Sequence, residues 1–169
     1  NLVSHIACHN ARKGKHVYCF FLEGDKFEFA DIQKWRAINR LKSEGFPAPP
    51  SNNWTYPHFR NNLIEGSDRI ELEAIKNLSH DLKTLFIYDK SETLSKNNIL
   101  KKLDEIKNVA DLIIIDHLHY FDMFSDSSEN AQVAEIMRTL MRATSENRVP
   151  VILVSHIRKK QGGQGYRLP

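Results

Sequence analysis

Acidic or polar side chains follow four apolar runs of this sequence at the point where each run ends. Glu23 comes directly after HVYCFFL, Asp89 after LFIY, Asp116 after LIII, and Ser155 with His156 after VILV. One carboxylate can hold the water shell of a Mg²⁺ ion, and a second can activate a water molecule. A histidine can contact a transferring phosphoryl group. These residue types together are typical of a site that hydrolyses a nucleotide.

The loop that would hold the phosphates of such a nucleotide is absent from the sequence. No GxxxxGK[ST] motif occurs, and the one Gly-Lys pair, Gly14-Lys15, lacks both the earlier glycine and the following Ser or Thr. The residues alone therefore predict half of a nucleotide site.

The pattern of hydrophobic residues predicts the elements that position these side chains. Helices are predicted over residues 2–13, 27–42, 67–82, 95–108 and 129–146, and strands over 16–22, 85–88, 112–115 and 149–154. Strands separated by helices require crossover connections, which predict an α/β fold with a mainly parallel sheet and helices on both faces. Because the carboxyl ends of parallel strands share one edge, we expect the polar side chains to gather there.

Three details of the helical regions are predicted as well. An apolar residue every third position from Phe29 to Leu41 predicts a helix with one apolar stripe, formed by Phe29, Ile32, Trp35, Ile38 and Leu41. Ser67 is expected to cap the next helix, whose inward-facing residues would be Ile70, Ala74, Ile75 and Leu78. Gly14 is expected to end the first helix.

A proline-rich segment at about residues 43–60 contains four of the six prolines, and no regular element is expected within it. It is interpreted as a surface insertion inside a single domain. Two roles remain open for it: a contact with a neighbouring subunit through Trp35 and Trp54, or a loop without a defined partner.

Composition excludes several classes of protein. The net charge of +3 is too small to predict a nucleic-acid-binding protein without a local basic patch. The sequence has two cysteines, and Cys19 lies within an apolar run, so a disulfide framework is not indicated. No apolar stretch approaches the length of a membrane span. We expect a cytoplasmic protein without membrane contact.

The succession HVYCFFLEG, LFIYD, LIIIDHLHYF and VPVILVSHIRKK resembles the RecA-type ATPase core of DnaB-like hexameric replicative helicases. The most specific part is the combination of an apolar strand followed by Asp-His-Leu with another followed by Ser-His. The resemblance covers essentially the whole chain and implies one partial three-layer RecA-like domain over residues 1–169. It also implies a strand order across the sheet of 151–154, 112–115, 17–22 and 85–88.

The resemblance further implies a role for each of the polar residues. Glu23 matches the carboxylate that activates the attacking water, although LEG stands here where many relatives have Ser-Leu-Glu-Met. Asp116 matches the Walker B aspartate, which holds Mg²⁺ through its water shell. His156 matches the polar residue that contacts the γ-phosphate. Asp89 matches no functional residue of the family and is interpreted as a helix or turn acid.

The implied cofactors are ATP and Mg²⁺, and the implied partners are single-stranded DNA and further copies of the chain in a ring, expected to be a hexamer. Arg158, Lys159 and Lys160 lie in a basic, glycine-rich loop at 158–167. In such helicases this loop contacts the DNA backbone, since cations beside flexible glycines can follow phosphates without recognising bases. His117 and His119 could hold a transition metal with Asp116, but a third strong ligand is not evident, so packing beside the site is favoured.

In this family the phosphate-binding loop would precede Asn1 and the arginine finger would follow Pro169. We therefore expect the 169 residues by themselves to show no ATPase activity. Two alternatives to a helicase motor remain. One is a RecA/RadA-like or KaiC-like ATPase of recombination or regulation, and the other is a non-catalytic RecA-fold module that binds DNA or a partner.

Overall fold

A four-stranded parallel sheet forms the centre of the protein. The computed structural model describes residues 2–21, 26–50, 54–89, 96–116 and 148–154, with positions 134, 137–138, 140–142 and 144–145. The strands are β1 (Val17–Phe21), β2 (Leu85–Asp89), β3 (Leu112–Asp116) and β4 (Val151–Val154). Their order is β2-β1-β3-β4, and each neighbouring pair is parallel. The predicted order across the sheet is confirmed.

Helices connect the strands, as the alternating pattern predicts. They are α1 (Leu2–Arg12), α2 (Lys26–Ser43), α3 (Tyr56–Arg60), α4 (Asp68–Asp81) and α5 (Lys96–Ile106). The described positions between 134 and 145 are helical too, in agreement with the helix predicted there.

Alternate residues of β1 and β3 divide the core between the two faces of the sheet. Cys19 and Ile114 pack with α1 in one apolar cluster, whereas Phe20 and Ile115 pack with α5 in another. Successive side chains of a strand point to opposite faces, so a strand that is buried throughout must be covered on both. The structure is therefore a three-layer α/β fold.

Helix α2 contributes to two separate clusters, so the prediction of one apolar stripe was wrong. Phe29 packs with α1 and the sheet, whereas Leu41 packs with α4. An apolar residue every third position drifts around a helix of 3.6 residues per turn, which places these two side chains about 120° apart. Gln33 and Ala37, which the period of three passed over, are buried in addition to Phe29, Ile38 and Leu41.

The proline-rich segment contains a helix that the sequence analysis did not predict. Pro57 occupies the first turn of α3, where its fixed φ angle suits a helix and no backbone N–H is required. Phe59 of this helix is buried against α2 and α4, and its ring lies 5.3 Å from that of Trp35. Trp54 lies 6.0 Å from Trp35 in the same cluster. The described part of the segment is thus packed onto the domain.

Polar contacts join α2, α3 and α4 around Phe59. Ser67 precedes α4 as predicted, but its hydroxyl donates to Glu71 Oε1 at 2.5 Å and does not cap the helix. Glu71 also pairs with Lys34 at 3.0 Å, and the Lys34 ammonium lies 4.8 Å from the centre of the Phe59 ring.

The prediction that Ile75 of α4 faces inward was wrong, since 46% of its surface is exposed.

At the amino-terminal edge of the sheet, where the strands begin, Asp111 joins the starts of β1 and β3 through hydrogen bonds. Its Oδ2 accepts the backbone N–H of His16 at 2.9 Å and its Oδ1 accepts Lys15 Nζ at 3.2 Å. The N–H groups of Asp111 and Leu112 donate in turn to the His16 carbonyl. The hydrogen bond from His16 and the contact with Lys15 hold the pKa of Asp111 below its ordinary value of 3.8.

We predict that Phe59→Ala lowers the free energy of unfolding by about 3–5 kcal/mol, because it leaves a cavity among the aromatic side chains. Chemical denaturation measures the loss. Phe27→Ala removes the same side chain at a position that is 69% exposed, and its loss should be much smaller. Equal losses in the two variants would contradict the packing of the proline-rich segment.

We predict that Asp111→Asn lowers the melting temperature at pH 7, and that the deficit shrinks as the pH falls. A carboxylate with a lowered folded-state pKa stabilises the fold above its ordinary pKa and loses that effect as the pH falls through the folded value. The comparison is made from pH 7 to below 3.8, with Glu65→Gln as an exposed control. A deficit that is independent of pH would rule out the contribution of the charge.

Candidate functional site

The four strands end in one row at the carboxyl edge of the sheet. Phe21 is the register partner of Asp89 on one side and of Asp116 on the other, and Asp116 is also the partner of Val154. The described strands thus reach the common edge at which the sequence predicts a site. Asp89 is the last residue of β2, so the interpretation of Asp89 as a helix or turn acid was wrong.

Asp116 is a buried carboxylate at the centre of this edge. It is 7% exposed and follows three isoleucines, 113–115, that are almost fully buried. By the alternation of β3 it lies on the same face of the sheet as Ile114, the face that α1 covers. Burial of a charge is costly unless donors or a cation compensate for it. A carboxylate in this position is suited to a hydrated cation held at the sheet edge.

Helix α1 brings its amino terminus towards the same edge. Gly14, with a φ of 78°, forms the tight turn that ends α1 as predicted and leads into β1, so the helix runs antiparallel to the strand. Val3 near the start of α1 packs in one cluster with Phe21 at the end of β1. The carboxyl edge therefore brings the buried Asp116 together with the first described turn of α1.

Thiol chemistry does not fit the two cysteines. Burial raises the pKa of both Cys8 and Cys19, and for Cys19 the charge of Asp116 adds to the effect. The nucleophilic form of cysteine is the thiolate, which burial disfavours. Both thiols are packed among the apolar residues between α1 and the sheet.

Several of the predicted site residues lie outside the described residues. This holds for Glu23, for His156 and for the basic residues Arg158, Lys159 and Lys160. It also holds for His117 and His119, which the sequence analysis considered as metal ligands. Within the described residues, His, Cys, Asp and Glu side chains form no group of three that could hold a metal ion.

A pocket that the sequence analysis did not identify lies between α1 and α2. Its volume is about 270 Å³. The polar side chains that line it are those of His5, Cys8, Arg12, Gln33, Arg36 and Arg40. The available signal was a glutamine four residues from both Phe29 and Ala37, two apolar positions of the same helix that are buried.

Among the helices that the structure describes, none has both the length and the apolar character that crossing a membrane requires.

Solved structures of similar fold include an ATPase domain and a replicative helicase. The chain matches the structure described as an ATPase domain with a TM-score of 0.63 and 21% identity, over 90% of this chain and 52% of that one. It matches a DnaB-like replicative helicase, solved to study its interactions with primase, with a TM-score of 0.63 and 21% identity, over 88% of this chain and 33% of that one. The chain thus spans about half or less of the length of these proteins.

The fold likeness has a counterpart in sequence. No curated protein sequence matches the chain significantly. The family model of the DnaB-like helicase C-terminal domain matches residues 55–169, which is more than half of the chain. The chain therefore belongs to the DnaB-like helicase C-terminal domain family, and its α/β sheet is that of a RecA-like ATPase core.

Proposed function

We propose that this chain forms part of the ATPase motor of a DNA helicase, in which hydrolysis of Mg-ATP drives movement along single-stranded DNA. The observation that carries the proposal is the buried carboxylate of Asp116 at the carboxyl edge of a RecA-like sheet. Ligands of open α/β sheets bind at that edge. In this proposal Asp116 holds the water shell of Mg²⁺.

The strand register supports roles for Glu23 and His156. Phe21 and Val154 are the two register partners of Asp116. In the sequence, Glu23 comes two residues after Phe21, and His156 comes two residues after Val154. We assign to Glu23 the activation of the attacking water and to His156 a contact with the γ-phosphate.

The basic loop is assigned to DNA. Arg158, Lys159 and Lys160 come shortly after β4, next to the position proposed for the γ-phosphate contact. Their cations would neutralise phosphates of a single strand without base specificity. A ring of identical subunits, proposed as a hexamer, would place one such loop per subunit around the strand.

We predict that Glu23→Gln in the full-length gene product containing these residues lowers DNA-stimulated ATP turnover at least about 100-fold, because a positioned general base contributes that much or more. Binding of a fluorescent ATP analogue should persist, since the amide keeps the size of the carboxylate. Glu28→Gln, a change of the same kind on α2, should turn over ATP like the unchanged protein. Normal turnover in Glu23→Gln would remove Glu23 from this role.

We predict that Asp116→Asn weakens Mg²⁺-dependent binding of ATP about tenfold or more, while binding measured in EDTA changes little. The reason is that the amide keeps the shape of the side chain and loses the charge that attracts the cation. Asp111→Asn makes the same change at the opposite edge of the sheet, just before the same strand, and should leave Mg²⁺ dependence intact. An equal response in both variants would contradict a Mg²⁺ site at Asp116.

A further inference from the structure

The pocket between α1 and α2 lies apart from the carboxyl edge of the sheet. Cys8 and Arg12 come from the middle and end of α1, and Gln33 and Arg40 from the middle and end of α2. Asp116 does not line it. Whatever binds here is therefore distinct from the proposed nucleotide site, and the inference does not rest on the proposed function.

Positive charge exceeds negative charge around this pocket. Arg12 and Arg40 share a single carboxylate, that of Asp81, at 3.3 and 3.5 Å, and Arg40 also reaches Glu44 at 4.0 Å. Arg36 pairs with no carboxylate among the residues that the structure describes. At least one guanidinium thus lines the pocket without a carboxylate partner in the described part of the chain, and a guanidinium is the side chain best matched to an oxyanion.

Gln33 supplies a second donor. It is 4% exposed, and its Oε1 accepts the Cys8 thiol at 3.4 Å. Its Nε2 is buried without a hydrogen-bond partner among the described residues. Buried donors are rarely left unsatisfied in native proteins because the loss of water hydrogen bonds is costly. Gln33 lines the pocket, so a small movement of its side chain would bring this N–H to an acceptor bound there.

We propose that the pocket between α1 and α2 binds a small phosphate-type oxyanion, held by the Arg36 guanidinium and the Gln33 amide, with Arg12, Arg40 and His5 around it. A volume of about 270 Å³ is below the range of pockets that hold drug-sized ligands, and it is ample for phosphate or pyrophosphate. The bound anion would bridge two helices that meet here through a weak thiol hydrogen bond. Binding therefore stabilises the contact between α1 and α2.

The test is calorimetric titration of the full-length protein with pyrophosphate, with a non-hydrolysable ATP analogue present in excess to fill the nucleotide site. Titration with inorganic phosphate and with ATP in place of pyrophosphate distinguishes a free anion from the phosphate group of a nucleotide. We expect saturable binding that Arg36→Gln weakens about tenfold or more. Arg142→Gln, which removes an equal charge from an exposed position, should bind like the unchanged protein. Equal affinity in the two variants, or no binding at all, overturns the proposal.

A second variant tests the amide independently of charge. Gln33→Met keeps a similar side-chain volume and removes the unsatisfied N–H, so the melting temperature measured without anion should rise by a few degrees. The saturable binding of pyrophosphate should be lost in this variant. A normal response to pyrophosphate in Gln33→Met overturns the proposal. Asp116→Asn should keep this response, so the failure of one proposal is distinguishable from the failure of the other.

Discussion

The parallel register of β3 with its two neighbours is the constraint on which the candidate site depends. Hydrogen bonds between parallel strands allow no shift by one residue without moving every side chain to the other face, and both faces here are buried. Asp116 therefore stands level with Phe21 and Val154. The residues proposed for catalysis, Glu23 and His156, follow those two positions by two residues in the sequence.

Two acids in different environments lie just before β3 and at its last residue. Asp111 is exposed and satisfied by the His16 backbone and by Lys15, which lowers its pKa. Asp116 is buried at the other end. Asp111 supports the fold through these contacts, whereas Asp116 is the buried acid to which the proposed function assigns a role.

The fold and the position of Asp116 could be predicted because they follow from strongly patterned segments. Continuous apolar runs predict strands covered on both faces, and intervening helices require parallel pairing. Prediction failed where burial depends on a partner element. Gln33 is buried because Cys8 gives it a neighbour on α1. Helix α3 forms because Phe59 and Trp35 pack together. Ile75 is exposed because α4 buries a narrower stripe against the domain than its apolar pattern suggested. None of these partners can be identified from local spacing.

The packing of the proline-rich segment determines what an optical measurement of this protein would report. Trp35 and Trp54 are the two tryptophans of the whole sequence, and both belong to the aromatic cluster around Phe59. The ammonium of Lys42 lies 4.4 Å from the centre of the Trp54 ring. Intrinsic fluorescence is therefore a probe of the segment that packs on α2 and α4, and the parallel sheet contributes no tryptophan to the signal. A change at the carboxyl edge could reach this spectrum through α2, which packs against both the sheet and the aromatic cluster.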